Sequence, residues 1–191
     1  MLKVHILEGP RGTGKSTVGR LLRDTIDGAT LINPTGFGTD GDEGLHKISE
    51  YYQALDSYLH DLASADNEFT VIFDRTFFSE WVYSRIYKSY DFKPMYDYLL
   101  TSLLSCAESV NLFFLTLGDE AELANRLTRD KVKLFDHVEE SVAQSTKQQQ
   151  YYEELFEGIE SKFVDKKGGY MVIDTAGLTP ADVKTKIMEA I

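Results

Sequence analysis

The sequence is poor in the features that mark secreted, membrane-spanning and nucleic-acid-coating proteins. Its single cysteine, Cys106, excludes an internal disulfide and favours a reducing compartment, so we expect a cytoplasmic protein. No apolar run approaches the roughly 20 residues that a bilayer span needs, and the first residues show no signal-peptide pattern. Because 31 acidic residues outnumber 20 basic ones, the net charge is −11, which disfavours long nucleic acid as a partner.

Repeats, low-complexity tracts and linkers are also missing, and proline is scarce, with four residues. The four histidines are scattered, and no Cys/His cluster shows the spacing of a metal site. A length of 191 residues suits one domain, so we expect residues 1–191 to fold as a single unit. Cys106 lies in an apolar stretch and is interpreted as core filler, with a reactive thiol as the alternative.

The strongest motif that is present is a phosphate-binding loop near the N-terminus. After the apolar run 2–7, the pattern G-x-x-x-x-G-K-[ST] is satisfied by Gly9-Pro10-Arg11-Gly12-Thr13-Gly14-Lys15-Ser16-Thr17. Glycine lets successive N–H groups point into one hollow at the positive end of the following helix, where an anion binds. The pattern assigns Lys15 to the β- and γ-phosphates of a nucleoside triphosphate, Ser16 to Mg²⁺ and Thr17 to the α-phosphate. The alternative is a glycine-rich turn that binds nothing.

Strands alternate with helices along the whole chain, which predicts a parallel sheet covered by helices on both faces. The predicted strands are 2–7, 29–33, 69–73, 111–117 and 170–174. The predicted helices are 16–27, 45–62, 76–83, 93–107, one from Asp119, 139–163 and one from Thr179. The glycine-rich segment 33–44 is predicted to be a loop that wraps a second substrate, with a disordered connector that makes no contacts as the alternative for its middle portion.

A second chemical signal follows the third predicted strand, which ends in Asp74 and Arg75. An aspartate at a strand end beside a phosphate loop holds a magnesium-bound water or accepts a proton from an attacking oxygen. The neighbouring arginine offers a planar fork for phosphate. The alternative is a capping acid with a surface ion pair.

A local cluster of cations, Arg126, Arg129, Lys131 and Lys133, stands out in a chain this acidic. The two arginines share one face of a predicted helix. We predict a lid over about 129–138, with arginines that close over the phosphates and neutralise the transferring group. The alternative is a solvated helix end whose dipole is complemented by cations.

Together these motifs resemble the thymidylate kinase-like branch of the P-loop nucleoside and nucleotide kinases. The resemblance is carried by Leu7-Glu8-Gly9 with Gly14-Lys15-Ser16-Thr17, by Phe73-Asp74-Arg75 with Ser79 and Tyr83, and by Arg126-x-x-Arg129. It implies a three-layer α/β/α sandwich with a five-stranded parallel sheet in the order 2-3-1-4-5, a helical lid, ATP and Mg²⁺ at the phosphate loop, and a deoxynucleotide acceptor opposite. It also places Asp74 near the acceptor and the metal, Arg75 at the acceptor phosphate, and Arg126 and Arg129 in the lid.

Two departures from that branch concern the acceptor. Arg11 stands where thymidylate kinases usually have an acidic residue, and Asn33-Pro34-Thr35-Gly36 replaces a Glu-Pro-Gly at the end of the second strand. Our leading hypothesis is an ATP-dependent nucleoside monophosphate kinase for a deoxypyrimidine such as dTMP. One alternative is a deoxynucleoside kinase acting on a 5′-hydroxyl, for which Asn33 cannot serve as the base but Asp40, Asp42 and Glu43 are candidates.

A second alternative is a regulatory P-loop ATP-binding module that hydrolyses slowly. Asp174-Thr175-Ala176-Gly177 has the D-x-x-G pattern of a GTPase switch, but it follows the last strand and no N-K-x-D motif is present. We therefore interpret it as a loop beside the nucleotide base. The aromatic residues Trp81, Tyr83 and Tyr87 are candidates for a homodimer interface or a base pocket.

Overall fold

The computed structural model describes residues 1–34, 36–129, 137–163 and 167–191, without the side chains of Arg129 and Lys167. The strands are β1 (Leu2–Glu8), β2 (Ala29–Ile32), β3 (Phe69–Asp74), β4 (Ser109–Thr116) and β5 (Lys167–Asp174). The helices are α1 (Lys15–Arg23), α2 (Gly41–Ser64), α3 (Phe77–Tyr87), α4 (Lys93–Cys106), α5 (Glu120–Arg129), α6 (Val138–Phe156) and α7 (Pro180–Met188).

All five strands are parallel and lie in the order β2-β3-β1-β4-β5, which confirms the predicted α/β fold. Leu7 of β1 lies opposite Asp74 of β3, and Glu8 lies opposite Phe114 of β4. Because the strands are parallel, their carboxyl ends meet at one edge of the sheet. The phosphate loop after β1 and the Asp-Arg pair at the end of β3 are therefore neighbours.

Two apolar cores lie on opposite faces of this sheet and make the three layers. Alternate strand residues point to opposite faces, so Val4 and Ile6 pack against α2, α3, α4 and α6 in the larger core. Leu7 points the other way, into a smaller core with Val18 of α1 and Val183 of α7. The near-continuous apolar strands are thus explained by helices on both faces.

Several predicted boundaries differ from the structure, and three of them concern helix ends with different causes or extents. The helix predicted over 139–163 ends at Phe156, because Gly158 adopts a left-handed φ of 73° and a short 3₁₀ helix, Ile159–Lys162, follows. The first helix ends at Arg23 rather than near residue 27. The helix predicted from residue 45 begins at Gly41, because the Asp40 side chain caps it by accepting from the Gly41 N–H.

The loop before α2 makes specific contacts, so its interpretation as a connector without contacts is wrong. Lys88 Nζ donates to the carbonyl oxygens of Phe37, Gly38 and Thr39 at 3.1, 3.3 and 2.9 Å. The Asp40 carboxylate also accepts from the backbone N–H of Ser89 at 2.8 Å. Lys88 and Ser89, which directly follow α3, therefore fix the position of this loop.

The predicted lid falls largely outside the described residues, since these omit 130–136 and with them Lys131 and Lys133. Arg129 is the last residue of α5, and His137 precedes α6. Across the described ranges, none of the helices combines the length and hydropathy that a bilayer span requires.

Candidate active site

The phosphate loop connects β1 to α1, as its sequence pattern predicts. Gly9 has a φ of 140°, and a Cβ there would lie 2.1 Å from the carbonyl oxygen of Leu115. Only glycine therefore lets the loop pass so close to β4. Gly14 immediately precedes α1 with a φ of 86°, and α1 begins one residue earlier than predicted, at Lys15. Ser16 and Thr17 occupy the exposed first turn of α1.

Lys15 is buried, and its ammonium lies within the loop. Its Nζ donates to the carbonyl oxygen of Pro10 at 2.5 Å and to Thr13 Oγ1 at 3.1 Å. Burial and the nearby Arg75 lower the pKa of Lys15, while Asp74 and Glu8 act in the opposite direction. An anion beside Lys15 would favour its charged form, so the loop suits a phosphate electrostatically.

Glu8 is the most enclosed charge at this edge of the sheet, with 0% of its surface exposed. Its carboxylate accepts from the Thr76 N–H at 2.6 Å, Thr76 Oγ1 at 2.8 Å, Ser79 Oγ at 2.7 Å and Tyr152 OH at 3.1 Å. Burial raises the pKa of Glu8, although the Ser79 hydrogen bond, the Arg75 charge and the Thr76 hydrogen bonds oppose that rise. Glu8 thus holds β1, the start of α3 and α6 together beneath the site.

Arg75 has a strained backbone and a well-defined side-chain position. Its φ of 77° is the one left-handed value at a residue other than glycine among the described residues. The guanidinium donates to Ser79 Oγ at 3.2 Å and to Tyr152 OH at 3.3 Å, and lies 5.4 Å from the centroid of the Tyr83 ring. Burial alone would lower the pKa of Arg75, but the neighbouring tyrosines and the carboxylates Glu8 and Asp74 raise it. A permanent cation is therefore fixed beside the phosphate loop.

Asp74 has one carboxylate oxygen without a hydrogen-bond partner among the described residues. Its Oδ2 accepts from Asn33 Nδ2 at 2.8 Å, whereas Oδ1 is buried and has no partner in that part of the chain. A buried carboxylate oxygen in this state is suited to accept a hydrogen bond. The donor would be a metal-bound water or an N–H or O–H group of the molecule that receives the phosphoryl group. The described residues contain no group of three or more His, Cys, Asp or Glu that could hold a metal ion without phosphate oxygens. Asp74 and Ser16 therefore fit Mg²⁺ only as partial ligands, together with a nucleotide.

A cavity of about 380 Å³ lies beside the phosphate loop, between Gly12, Val18 and the segment after β5. Arg126 borders this cavity and is fixed on three sides. It pairs with Glu122 on α5, donates to the Gly12 carbonyl at 3.2 Å, and donates to the Thr175 carbonyl and Oγ1 at 2.7 and 3.1 Å. The segment 174–177 thus lies next to the phosphate loop, where the sequence predicts the loop beside the nucleotide base.

The other side of the site is formed by α3 and α6, and the sequence did not single out its glutamines. Gln148 accepts from Tyr83 OH at 3.2 Å and donates to Tyr87 OH at 2.9 Å. Tyr87 in turn donates to Gln144 at 2.9 Å. Arg11 faces α6 from the phosphate loop across a small cavity of about 120 Å³. Nothing in the sequence marks Gln148, because a polar residue on an amphipathic helix normally faces solvent.

The fold is that of the P-loop nucleotide kinases, thymidylate kinase included. Its defining features here are the strand order, the glycine loop between β1 and α1, and the Asp-Arg pair at the end of β3. No model of a known protein family matches the sequence, and no curated protein matches it.

Solved structures do match over almost the whole chain. The YorR protein of Bacillus subtilis, in complex with phosphorylated GDP, is 19% identical with a TM-score of 0.64, over 97% of this chain and 94% of its own. Thymidylate kinase from Candida albicans is 20% identical with a TM-score of 0.64, over 97% and 89%. Deoxyadenosine kinase from M. mycoides with bound dATP is 16% identical with a TM-score of 0.59, over 99% and 98%.

Proposed function

We propose that the protein transfers the γ-phosphoryl group of ATP to a nucleoside monophosphate, of the deoxypyrimidine class represented by dTMP. The observation that carries the proposal is the placement of Lys15 and Arg75 around Asp74, with one cation from the phosphate loop and the other from the end of the neighbouring strand. Two cations beside one carboxylate suit a donor phosphate and an acceptor phosphate that are brought close together.

Each residue of the site has a role in this proposal. The backbone N–H groups of residues 9–14 and the Lys15 ammonium hold the triphosphate, and Arg75 holds the phosphate of the acceptor. The Ser16 hydroxyl and Asp74 would hold Mg²⁺, which would neutralise charge on the phosphate groups. Arg126 borders the pocket for the base of ATP, and Arg129 belongs to the lid.

A deoxynucleoside kinase is the second candidate, and the Asp74 carboxylate favours it. Its Oδ1 has no hydrogen-bond partner among the described residues and would accept the proton of a 5′-hydroxyl, which the Asn33 amide beside it cannot do. In that case Arg75 would orient Asp74 rather than bind an acceptor phosphate.

A coupled assay of ADP release separates these functions. The purified protein is given Mg·ATP with each common nucleoside and each nucleoside monophosphate in turn. We expect rapid ADP release with dTMP and little with thymidine or without an acceptor. Rapid release with thymidine only would assign the protein to the deoxynucleoside kinases, and slow release unaffected by any acceptor would assign it to the regulatory ATP-binding modules.

A further inference from the structure

The cavity of about 380 Å³ beside the phosphate loop has three walls, which come from separate parts of the chain. The phosphate loop and α1 form the first wall, with Gly12 and Val18. Helix α5 forms the second wall with Glu122 and Arg126, and the segment from Thr175 onward forms the third. Under the proposed function the base of ATP lies between these walls, so the position of the third wall decides how well the base fits.

The third wall begins as a turn, 175–178, whose backbone is bonded mostly to its own end of the sheet. The N–H groups of Thr175, Ala176 and Leu178 donate to oxygen atoms of β4, of the end of β5 or of the turn itself, at 2.9, 3.0 and 3.1 Å. The N–H of Gly177 instead crosses to α5, where it donates to Glu122 Oε2 at 2.9 Å. Glu122 therefore ties the middle of the turn to α5.

The other oxygen of Glu122 orients Arg126. Glu122 Oε1 accepts from Arg126 Nε at 3.0 Å and also from Nη2. Arg126 donates three further hydrogen bonds, to the carbonyl oxygen of Gly12 and to the carbonyl oxygen and Oγ1 of Thr175. A guanidinium has five N–H groups, so these five bonds match its full donor capacity. Arg126 therefore fastens the turn to α5 and to the phosphate loop rather than offering an N–H group to a nucleotide.

The contacts of Glu122 need its ionised form. A carboxylate accepts hydrogen bonds on both oxygens, whereas a protonated carboxyl group would turn an O–H towards one of the donors. The hydrogen bond from Gly177 N–H, followed by the one from Arg126, lowers the pKa of Glu122, so the group is ionised at neutral pH. Both bridges to the turn, the direct one and the one through Arg126, are therefore charge-assisted.

The packing of α5 against the phosphate loop does not depend on Glu122. Leu123 is 3% exposed and lies against Gly12, where an added Cβ would come within 2.5 Å of Leu123 Cδ1. This apolar contact stays in place when the neighbouring carboxylate is removed. Loss of Glu122 should therefore release the turn after β5 while the phosphate loop keeps its position.

We propose that Glu122 is a positioning residue for the phosphoryl donor. Through Gly177 and Arg126 it holds the turn 175–178 at the distance from the phosphate loop at which the base of ATP fits between them. The inference rests on the proposed function for the assignment of this cavity to the base of ATP. It does not depend on which molecule accepts the phosphoryl group.

Calorimetry without any acceptor tests this role. Mg·ATP is titrated into the unmodified protein and into Glu122→Ala, with Mg·tripolyphosphate as the matched ligand that has three phosphate groups and no base. We expect Glu122→Ala to bind ATP about 10-fold more weakly and tripolyphosphate with unchanged affinity, because only the base meets the displaced turn. Glu120→Ala is the matched control, since it removes the same charge from an exposed position in the first turn of α5, and it should bind both ligands normally.

Amide hydrogen exchange, followed by NMR, reports on the turn directly. We expect the Gly177 N–H to exchange faster in Glu122→Ala, because it loses its acceptor, whereas the Thr175 N–H keeps its bond to β4 and its rate. Glu122→Gln is a second variant, used also if thermal unfolding shows that Glu122→Ala is not folded. Its single side-chain oxygen replaces only part of the carboxylate, so we expect a smaller loss of ATP affinity.

Three results would overturn the proposal. They are ATP affinity that is unchanged in the folded Glu122 variants, tripolyphosphate affinity that falls as much as ATP affinity, and an equal loss of ATP affinity in Glu120→Ala. Unmodified protein that binds neither ligand would instead contradict the proposed function, and this inference with it.

Discussion

At the scale of single residues, the site concentrates charge that water does not screen. Glu8 and Lys15 are buried and Arg75 is partly buried. Arg75 acts on the pKa of both Glu8 and Lys15, and Glu8 acts on the pKa of Lys15 and Arg75. Buried charges cost free energy unless they are paired and hydrogen-bonded. Glu8 meets that condition because it accepts four hydrogen bonds. The Lys15 ammonium instead donates its hydrogen bonds to uncharged oxygen atoms of its own loop. The cost at Lys15 is consistent with a role in binding an anion.

Lys15→Ala should remove activity without harming the fold. Without the ammonium, the charge that develops on the transferring phosphate is not neutralised, and we expect kcat to fall by about 10³-fold or more. The melting temperature should stay equal or rise, because a buried cation with a lowered pKa is removed. Steady-state kinetics and thermal unfolding measure the two effects. Retained turnover would exclude the phosphate loop from the reaction.

Arg75→Gln tests whether the acceptor carries a phosphate. If Arg75 binds that phosphate, the KM for dTMP should rise about 10- to 100-fold, the usual value of one charged hydrogen-bonded contact. Arg85→Gln is a matched control on the following helix, α3, because its guanidinium lies 4.6 Å from the Trp81 ring centroid and 3.3 Å from Glu154. An Arg75→Gln enzyme with the KM of the Arg85→Gln enzyme would favour a nucleoside acceptor.

His5 should make the protein less stable as the pH falls. Its folded-state pKa of about 4 lies below the ordinary value of 6.5, so the folded state resists protonation that the unfolded state accepts. The stability it contributes is present above pH 6.5 and is lost as the pH falls towards 4, by about 2 kcal/mol at pH 5. Urea unfolding of the unmodified protein and of His5→Gln at pH 7.5 and 5 measures this. Parallel losses in both proteins would contradict the assignment.

At the scale of helices and strands, local patterns predicted the sheet and both chemical motifs. The apolar runs gave all five strands, because a parallel strand buried on both faces needs continuous apolar residues. The motifs of residues 9–17 and 74–75 were visible because each is a contiguous run of residues in the sequence. The break after α6 was missed, since apolar residues continue at helical spacing to Phe163 and only the left-handed Gly158 ends the helix.

The contacts that build the site were less predictable than its motifs. Tyr152 lies on the apolar stripe of α6, where a tyrosine is normally core, yet its hydroxyl donates to Glu8 and accepts from Arg75. Asn33 and Asp74 are 41 residues apart and meet only because β2 and β3 are neighbours. Such pairs depend on strand order, which a local pattern does not contain.

Helix α5 carries two arginines whose variants should behave differently. Arg126 is fixed to Gly12 and Thr175 beside the cavity next to the phosphate loop, so Arg126→Met should raise the KM for ATP more than it lowers kcat. Arg129 ends the helix at the predicted lid, and Arg129→Ala should lower kcat more than it raises KM, because a lid cation acts mainly in the transition state. Steady-state kinetics with ATP as the varied substrate separates them. An unchanged kcat in Arg129→Ala would favour a solvated helix end.

At the scale of the whole molecule, the charge balance limits the size of the acceptor. Lys15 and Arg75 create a local positive field, but the net charge of −11 opposes any polyanion that extends beyond the site. Under the proposed function a mononucleotide places its phosphate at Arg75, whereas a strand of nucleic acid would also have to lie along the surface of an acidic protein. The net negative charge therefore disfavours nucleic-acid strands as phosphoryl acceptors, which the two cations of the site alone would not do.

A 5′-hydroxyl oligonucleotide should consequently not be phosphorylated, whereas a mononucleotide should be. We expect no transfer of labelled γ-phosphate from ATP to a short DNA strand at low salt, where electrostatic attraction would be strongest. dTMP serves as the positive control in the same reaction, and heat from Mg·ATP binding in a calorimeter shows that the sample is competent. Transfer to the DNA strand that falls steeply as salt rises would contradict this prediction, because that dependence reports the release of counterions along a bound polyanion. Transfer to dTMP alone would support the prediction that the residues around Arg75 and the net negative charge of the protein together select a mononucleotide as the acceptor.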